Sequence, residues 1–129
     1  MKILVIGSFK WSQYASAIYT GFKEIGKEYQ KEKEEYQVEK IDYEDFLYTE
    51  RNELTAFLNK VQNRFHFGCN IIKYNRAILQ KVESFQPNFI FLYRCYSIYT
   101  KTLRKIKNST NCKIFSYNND DAFSGVPSK

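Results

Sequence analysis

Histidine is almost missing from this chain, and the metal and redox motifs that small domains use are missing altogether. One histidine and three cysteines, Cys69, Cys95 and Cys112, cannot assemble a Cys/His zinc set, and no CxxC pair occurs. An odd number of widely spaced thiols excludes a disulfide framework and points to reduced, buried side chains in a cytosolic protein. No apolar run reaches the length of a membrane span. The apolar stretch near the amino terminus, Ile3 to Ile6, is far too short for a signal-peptide core. There is no GxGxxG fingerprint and no Walker A sequence, so a dinucleotide or P-loop site is not expected. Nor is there an RNA-recognition, zinc-finger or homeodomain signature, an internal repeat, a low-complexity tract or an internal linker.

What is present is a chain rich in hydrophobic and aromatic residues. At 129 residues it is long enough for one domain with a core of its own. Hydrophobic residues make up 43% and aromatics 18%, which excludes intrinsic disorder. The eleven tyrosines and eleven phenylalanines are expected in the core and on amphipathic surfaces rather than on a binding platform. The net charge of +6 suits an anionic partner. However, the lysines and glutamates are intermixed, as on a solvated surface. Nucleic acid is therefore not the expected partner.

The elements follow from periodicity. Lys2 to Ile6 is a continuous β-branched run ending at Gly7-Ser8, the pattern of a strand buried on both faces. Residues 13 to 26 carry Tyr14, Ala17, Ile18, Gly21, Phe22 and Ile25 at helical spacing, with Gly26 as the stop. Lys27 to Glu35 is dense in charge and reads as a helix extension or a loop. Tyr36 to Ile41 alternates as a second strand with Asp42 at its end, and Tyr43 to Arg51 is a polar loop or short turn. Asn52 caps a helix to Phe65 whose inward face is Leu54, Phe57, Leu58 and Val61. Asn70 caps another to Phe85, carrying Ile71, Ile72, Ala77, Ile78, Leu79 and Val82, and Gln86-Pro87 ends it. Asn88 to Tyr93 is a buried third strand, Tyr99 to Lys107 a short basic helix, and Cys112 to Tyr117 a buried fourth strand. Strands joined by helices imply parallel pairing through right-handed crossovers. The expected fold class is α/β: a three-layer Rossmann-like domain with a four-stranded parallel sheet of order 2-1-3-4.

Candidate site residues cluster at strand ends, where ligands sit in open α/β sheets. Asn118, Asn119, Asp120 and Asp121 follow the fourth strand directly. The aspartates suit acid/base work or sugar hydroxyls, and the amides can donate and accept, but the same run is also turn and capping chemistry. Arg94 follows the third strand and either holds an anion or pairs with Asp120 or Asp121 to brace the loops. Gly7-Ser8 is either a contact loop that presents backbone amides to an anion or a plain β–α turn. His66 sits between two helices beside phenylalanines, a setting more often structural than catalytic.

These residues resemble a known family. Arg64 to Gly68 (RFHFG), Asn70-Ile71, Asn75-Arg76, Phe91 to Arg94 (FLYR), Ile98, Tyr99-x-Lys101-Thr102-Leu103 and Tyr117 to Ser124 (YNNDDAFS) are similar to the N-terminal half of CgeB-like glycosyltransferases of the spore-maturation type, essentially along the whole chain. The first half, up to Arg51, matches only as a generic βαβ start. Such enzymes have a GT-B arrangement of two Rossmann-like domains. The resemblance implies an acceptor-side domain, residues 1–129, of an enzyme that moves a sugar from a nucleotide-sugar to a glycan or other hydroxyl acceptor. It implies no metal and no cofactor beyond the nucleotide-sugar donor, which the C-terminal domain would bind in cis or in trans. Gly7, Ser8, Arg94, Asn118, Asn119, Asp120 and Asp121 would face the interdomain cleft. The family's DDPFS reads DDAFS here, with Ala122 loosening the turn after the aspartates. The donor domain does not follow within this chain, so activity in isolation is not expected. The alternative is a stand-alone binding or regulatory α/β domain, either receiver-like with Asp120 or Asp121 as phosphoacceptor, or anion- or nucleic-acid-binding.

Overall fold

A computed structural model describes residues 1–30, 35–49 and 52–118. The elements are β1 (Lys2–Gly7), α1 (Ala15–Gln30), β2 (Gln37–Asp42), α2 (Glu44–Leu47), α3 (Glu53–Phe65), α4 (Cys69–Phe85), β3 (Phe89–Tyr93), α5 (Thr100–Ser109) and β4 (Lys113–Tyr117). The four strands form one all-parallel sheet in the order β2-β1-β3-β4, as expected from the sequence. β1 pairs on both sides, with Ile3 opposite Val38 and Phe89, and Val5 opposite Lys40 and Phe91.

Alternation along β1 divides the core into two layers. Leu4 and Ile6 point to the side of α4 and pack with Ile71, Tyr74, Ile78, Val82 and Phe85, together with Ile90 and Leu92 of β3, Leu47 of α2 and Ile106 of α5. Ile3 and Val5 point the other way and meet Ile18 and Phe22 of α1 beside Tyr36. The sheet is thus sandwiched between α1 and the α4–α5 layer, the three-layer arrangement expected. Among the described residues no helix is long and apolar enough to cross a membrane.

Several boundaries differ from the sequence reading, each for a physical reason. α1 runs past Gly26 to Gln30. A Cβ on Gly26 would lie 2.3 Å from the Tyr36 ring, so this glycine makes room for an aromatic lid rather than ending the helix. The expected polar loop or short turn after Asp42 is a single helical turn, α2, held by the buried side chain of Leu47. α4 starts at Cys69 behind Gly68, whose φ of 144° suits glycine. Asn70 is therefore inside the helix, not its cap. β4 is not a buried strand: it forms the sheet edge, and Phe115 and Tyr117 are each half exposed. Cys69 is exposed rather than buried, whereas Cys95 and Cys112 are half-buried free thiols.

The largest departure is α3. It is capped by Asn52 in a reciprocal box with Thr55, as the sequence predicts. Its orientation is reversed. Asn59 is buried, whereas Leu54, Phe57, Leu58 and Val61, the expected inward face, are 67%, 62%, 47% and 39% exposed.

Candidate functional site

The carboxyl ends of the strands carry the polar groups, beginning with the turn after β1. Gly7 is the last residue of β1. A Cβ there would lie 2.6 Å from that of Ala15, so glycine lets the first turn of α1 close onto the sheet. α1 starts only at Ala15, so the Gly7-Ser8 amides are not part of a helix N-terminus. The loop is tied to the end of β2 instead. Ser8 Oγ donates to Glu44 Oε1, and the Phe9 amide donates to Asp42 Oδ2 at 3.3 Å. Asp42 Oδ1 accepts the Glu44 amide at 3.0 Å. Burial raises the Asp42 pKa above the ordinary carboxylate value, and these two amides only partly offset it. Asp42 is thus spent on backbone donors and Glu44 on a hydroxyl. Among the described residues no set of three His, Cys, Asp or Glu side chains is arranged to hold a metal ion.

The loop after β3 is built around a buried amide. Asn75 of α4 donates through Nδ2 to the carbonyls of Ile71 and Ser97, both at 2.8 Å. Its Oδ1 accepts from the Tyr99 amide and from Thr102 Oγ1, also at 2.8 Å. The Tyr99 N–H can only donate, which fixes the orientation of the Asn75 amide. Four bonds satisfy the group completely. They hold residues 97 to 102 against α4 and supply the N-terminal cap that α5 lacks from its own residues. Arg94 enters this loop in the left-handed region, φ 49°, while its amide donates to the Tyr117 carbonyl at 3.0 Å. Cys95 Sγ donates to the Ile6 carbonyl at 3.1 Å.

Between this loop, α2 and the α3–α4 turn lies a hollow of about 210 Å³ lined by Tyr43, Leu47, Tyr48, Asn63, His66, Tyr74, Tyr96 and Ser97. His66 ends α3 in the left-handed region, φ 50°, and this turns its ring toward the β3 loop. Its Nδ1 lies 3.3 Å from the Ser97 hydroxyl. The Asn63 amide donates to the Leu47 carbonyl at 3.1 Å, but its Oδ1, though buried, finds no partner among the described residues. The Tyr74 hydroxyl is also buried and lies against the Cys95 thiol. Burial keeps three groups here neutral. The Cys95 thiol is pushed up to about 12, Tyr43 to about 12 and Tyr74 upward as well, with the Arg94 guanidinium pulling Tyr43 back slightly. A second hollow of about 440 Å³, lined by Lys10, Trp11, Glu44 and Asp45, shares Tyr43 and Tyr48 as a common wall. A larger hollow, about 730 Å³, is open and lies at the opposite, amino-terminal rim beside Met1, Asn88 and Cys112.

Of the residues singled out in the sequence, Ser8, Arg94 and His66 stand on the rim at the carboxyl ends of the strands, with Gly7 beneath them and Asn118 just beyond β4. Asn119, Asp120 and Asp121 lie outside the described residues. The sequence reading missed Tyr43, Asn63, Tyr74, Asn75, Tyr96 and Ser97. Tyr74 and Asn75 had a signal: both fall on the Ile71–Ile78–Val82 face of α4, where a polar group requires a partner. Tyr43, Asn63 and Tyr96 had none, because loop and helix partners far apart in sequence bring them together.

No known protein family, curated protein or solved structure matches the chain. The functional reading therefore rests on this geometry and on the sequence motifs.

Proposed function

We propose that the chain is the acceptor-side domain of a sugar-transferring enzyme of the two-Rossmann-domain type, as its resemblance to CgeB-like glycosyltransferases implies. One observation carries the reading: a hollow at the carboxyl ends of the strands, walled by Tyr43, Tyr48, Tyr74 and Tyr96, with His66 and Ser97 on its polar side. Aromatic faces pack against the C–H faces of a sugar ring, and phenol, imidazole and hydroxyl groups satisfy its hydroxyls. The unpaired buried carbonyl of Asn63 is the kind of polar group that a ligand hydroxyl would complete. The location agrees with the general rule for open α/β sheets, since the strand order reverses direction between β1 and β3.

In this reading the acceptor hydroxyl lies in the tyrosine-lined hollow. Arg94 and the β1 loop face the donor phosphates, which a second domain would mainly hold. Asp120 or Asp121 takes the proton of the attacking hydroxyl. The domain alone transfers no sugar.

The test is titration of the isotopically labelled protein with mono- and oligosaccharides and, separately, with nucleotide-sugars. Saccharide-induced NMR shifts at Tyr74, Tyr96, Ser97 and His66, weakened at least tenfold by Tyr96→Ala, are expected. An unchanged spectrum at these residues across the saccharide panel would sink the proposal. So would a response confined to nucleotide-sugars.

A further inference from the structure

α3 is inserted with its polar side inward. Asn59 Oδ1 accepts from Asn70 Nδ2 at 2.8 Å, Gln62 Oε1 accepts the Asn70 amide at 3.2 Å, and Asn63 reaches the Leu47 carbonyl. Asn59 Nδ2 is buried without a partner, so the fit has a cost. The apolar stripe at positions 54, 57, 58, 61 and 65 therefore faces outward, the reverse of what an amphipathic helix on a globular core does. Phe65 and Phe67 at the α3–α4 turn are 74% and 71% exposed, and Ile72 on the first turn of α4 is 43% exposed. Together these side chains expose more than about 500 Å² of apolar surface, at the upper end of what a monomer normally carries.

The charges around this stripe decide what can cover it. Lys60 and Arg64 border it along α3, and Lys73 and Arg76 stand exposed on the first two turns of α4. Glu53 is the only exposed acid on α3. None of the four cations forms an ion pair among the described residues, where the single salt bridge is Lys81 with Glu39. A second copy of the chain docking on this face would bring two cationic borders together, in a molecule already at +6. A surface of anionic headgroups would neutralise them while receiving the apolar stripe.

We propose that α3 and the Phe65–Phe67 turn form a peripheral membrane-docking face for anionic lipid. The helix lies in the interface plane, Phe65 and Phe67 enter the acyl boundary, and Lys60, Arg64, Lys73 and Arg76 reach back to phosphate. This inference rests on α3 and its surroundings and stands whether or not the hollow binds sugar. If both hold, the acceptor hollow opens beside the bilayer, because His66 joins the docking turn to the hollow.

The experiment is flotation of the full chain with vesicles of phosphatidylcholine alone and of phosphatidylcholine mixed with phosphatidylglycerol. Binding is expected only to the mixed vesicles, weakening as salt rises. The double variant Phe65→Ser/Phe67→Ser should bind on the order of 100-fold more weakly, and Lys60→Glu/Arg64→Glu about 10-fold or more. Lys105→Glu/Lys107→Glu on the basic but apolar-poor α5 should bind mixed vesicles within about twofold of the parent, because it carries charge without the apolar stripe. Thermal unfolding of each variant confirms that it folds. No flotation with mixed vesicles overturns the proposal, as does equal loss in the α5 variant. Sedimentation showing a dimer that the Phe65/Phe67 variant dissolves would overturn it too, by assigning the face to a second copy.

Discussion

At the scale of single residues, Asn75 and Asp42 show opposite solutions to placing a polar group near the sheet. Asn75 is buried and fully paired, so it acts as an internal clamp between α4 and the β3–α5 loop. Asn75→Ala would leave the Ser97 carbonyl, the Tyr99 amide and the Thr102 hydroxyl unpaired. Each buried orphan costs about 1–3 kcal/mol, and some will recover water, so a net loss of about 3 kcal/mol is expected in urea unfolding. The same variant should broaden the NMR signals of residues 97 to 99. A loss below about 1 kcal/mol would show that the loop is held by other means. Asp42 is less well served. Its two backbone donors do not outweigh burial, and its pKa lies above the ordinary 3.8. The native state therefore holds this proton more tightly than the unfolded chain does. By linkage, this residue's contribution to stability is greatest below the unfolded value and is lost as pH rises through the raised native value. NMR titration of the Asp42 carboxyl should give a midpoint above that of an exposed aspartate. A midpoint below 3.8 would reverse the sign.

At the scale of elements, continuous or strongly periodic patterns were legible and close approaches were not. β1 was readable because both its faces are buried, so every residue from Ile3 to Ile6 is apolar. Parallel pairing followed from the crossover connections, and the strand order from the Rossmann-like arrangement they imply. α3 was placed correctly along the chain by its Asn52 cap and its 3.6-residue period, but its direction of facing was not. Periodicity reports that a helix has an apolar side, not which partner covers it. The inward pull comes from Asn59, Gln62 and Asn63 meeting Asn70 and Leu47, contacts that have no local sequence signature. Gly26 was misread for a related reason: a glycine that ends a helix and one that admits an aromatic ring look the same in sequence. Of the candidate site, the strand-end residues Ser8 and Arg94 followed from topology, whereas the tyrosine walls depend on tertiary packing. Gly7 is the element-scale test. Gly7→Ala puts a methyl 2.6 Å from Ala15 Cβ and 3.3 Å from Tyr93 Cβ, so α1 must retreat from the sheet. A destabilisation of about 2 kcal/mol is expected from overpacking at this junction. Gly21→Ala, where an added Cβ meets nothing within 4 Å, should be neutral or stabilising by about 0.5–1 kcal/mol through helix propensity. Equal effects at the two glycines would deny the close approach.

At the scale of the whole molecule, the sheet is asymmetric, and its stability should be too. β1 is central, paired along both edges and covered on both faces. β4 pairs only with β3, and along it Lys113, Phe115, Ser116 and Tyr117 are exposed. Two aromatic stacks, Phe89 with Phe115 at 6.0 Å and Tyr93 with Tyr117 at 5.6 Å, tie its α1-side face to β3. α1 itself packs mainly over β1 and β2 and reaches β3 through Phe22 against Phe91, while Phe115 and Tyr117 of β4 stay half exposed. Local opening of β4 therefore breaks one ladder and little core, whereas opening β1 requires global unfolding. Native-state hydrogen exchange should place the β1 amides at the full unfolding free energy, with those of β3 next. The β4 amides should exchange by a smaller opening, with a weak dependence on denaturant. Phe115→Ala removes a stacking partner without creating a buried cavity. It should speed exchange in β4 while leaving β1 nearly as protected as before, a loss of about 1 kcal/mol confined to the edge. If β4 and β1 instead exchanged with the same free energy and the same denaturant slope, the edge would be part of one cooperative unit, and the exposed aromatic pair would have to contribute far more than surface stacking does.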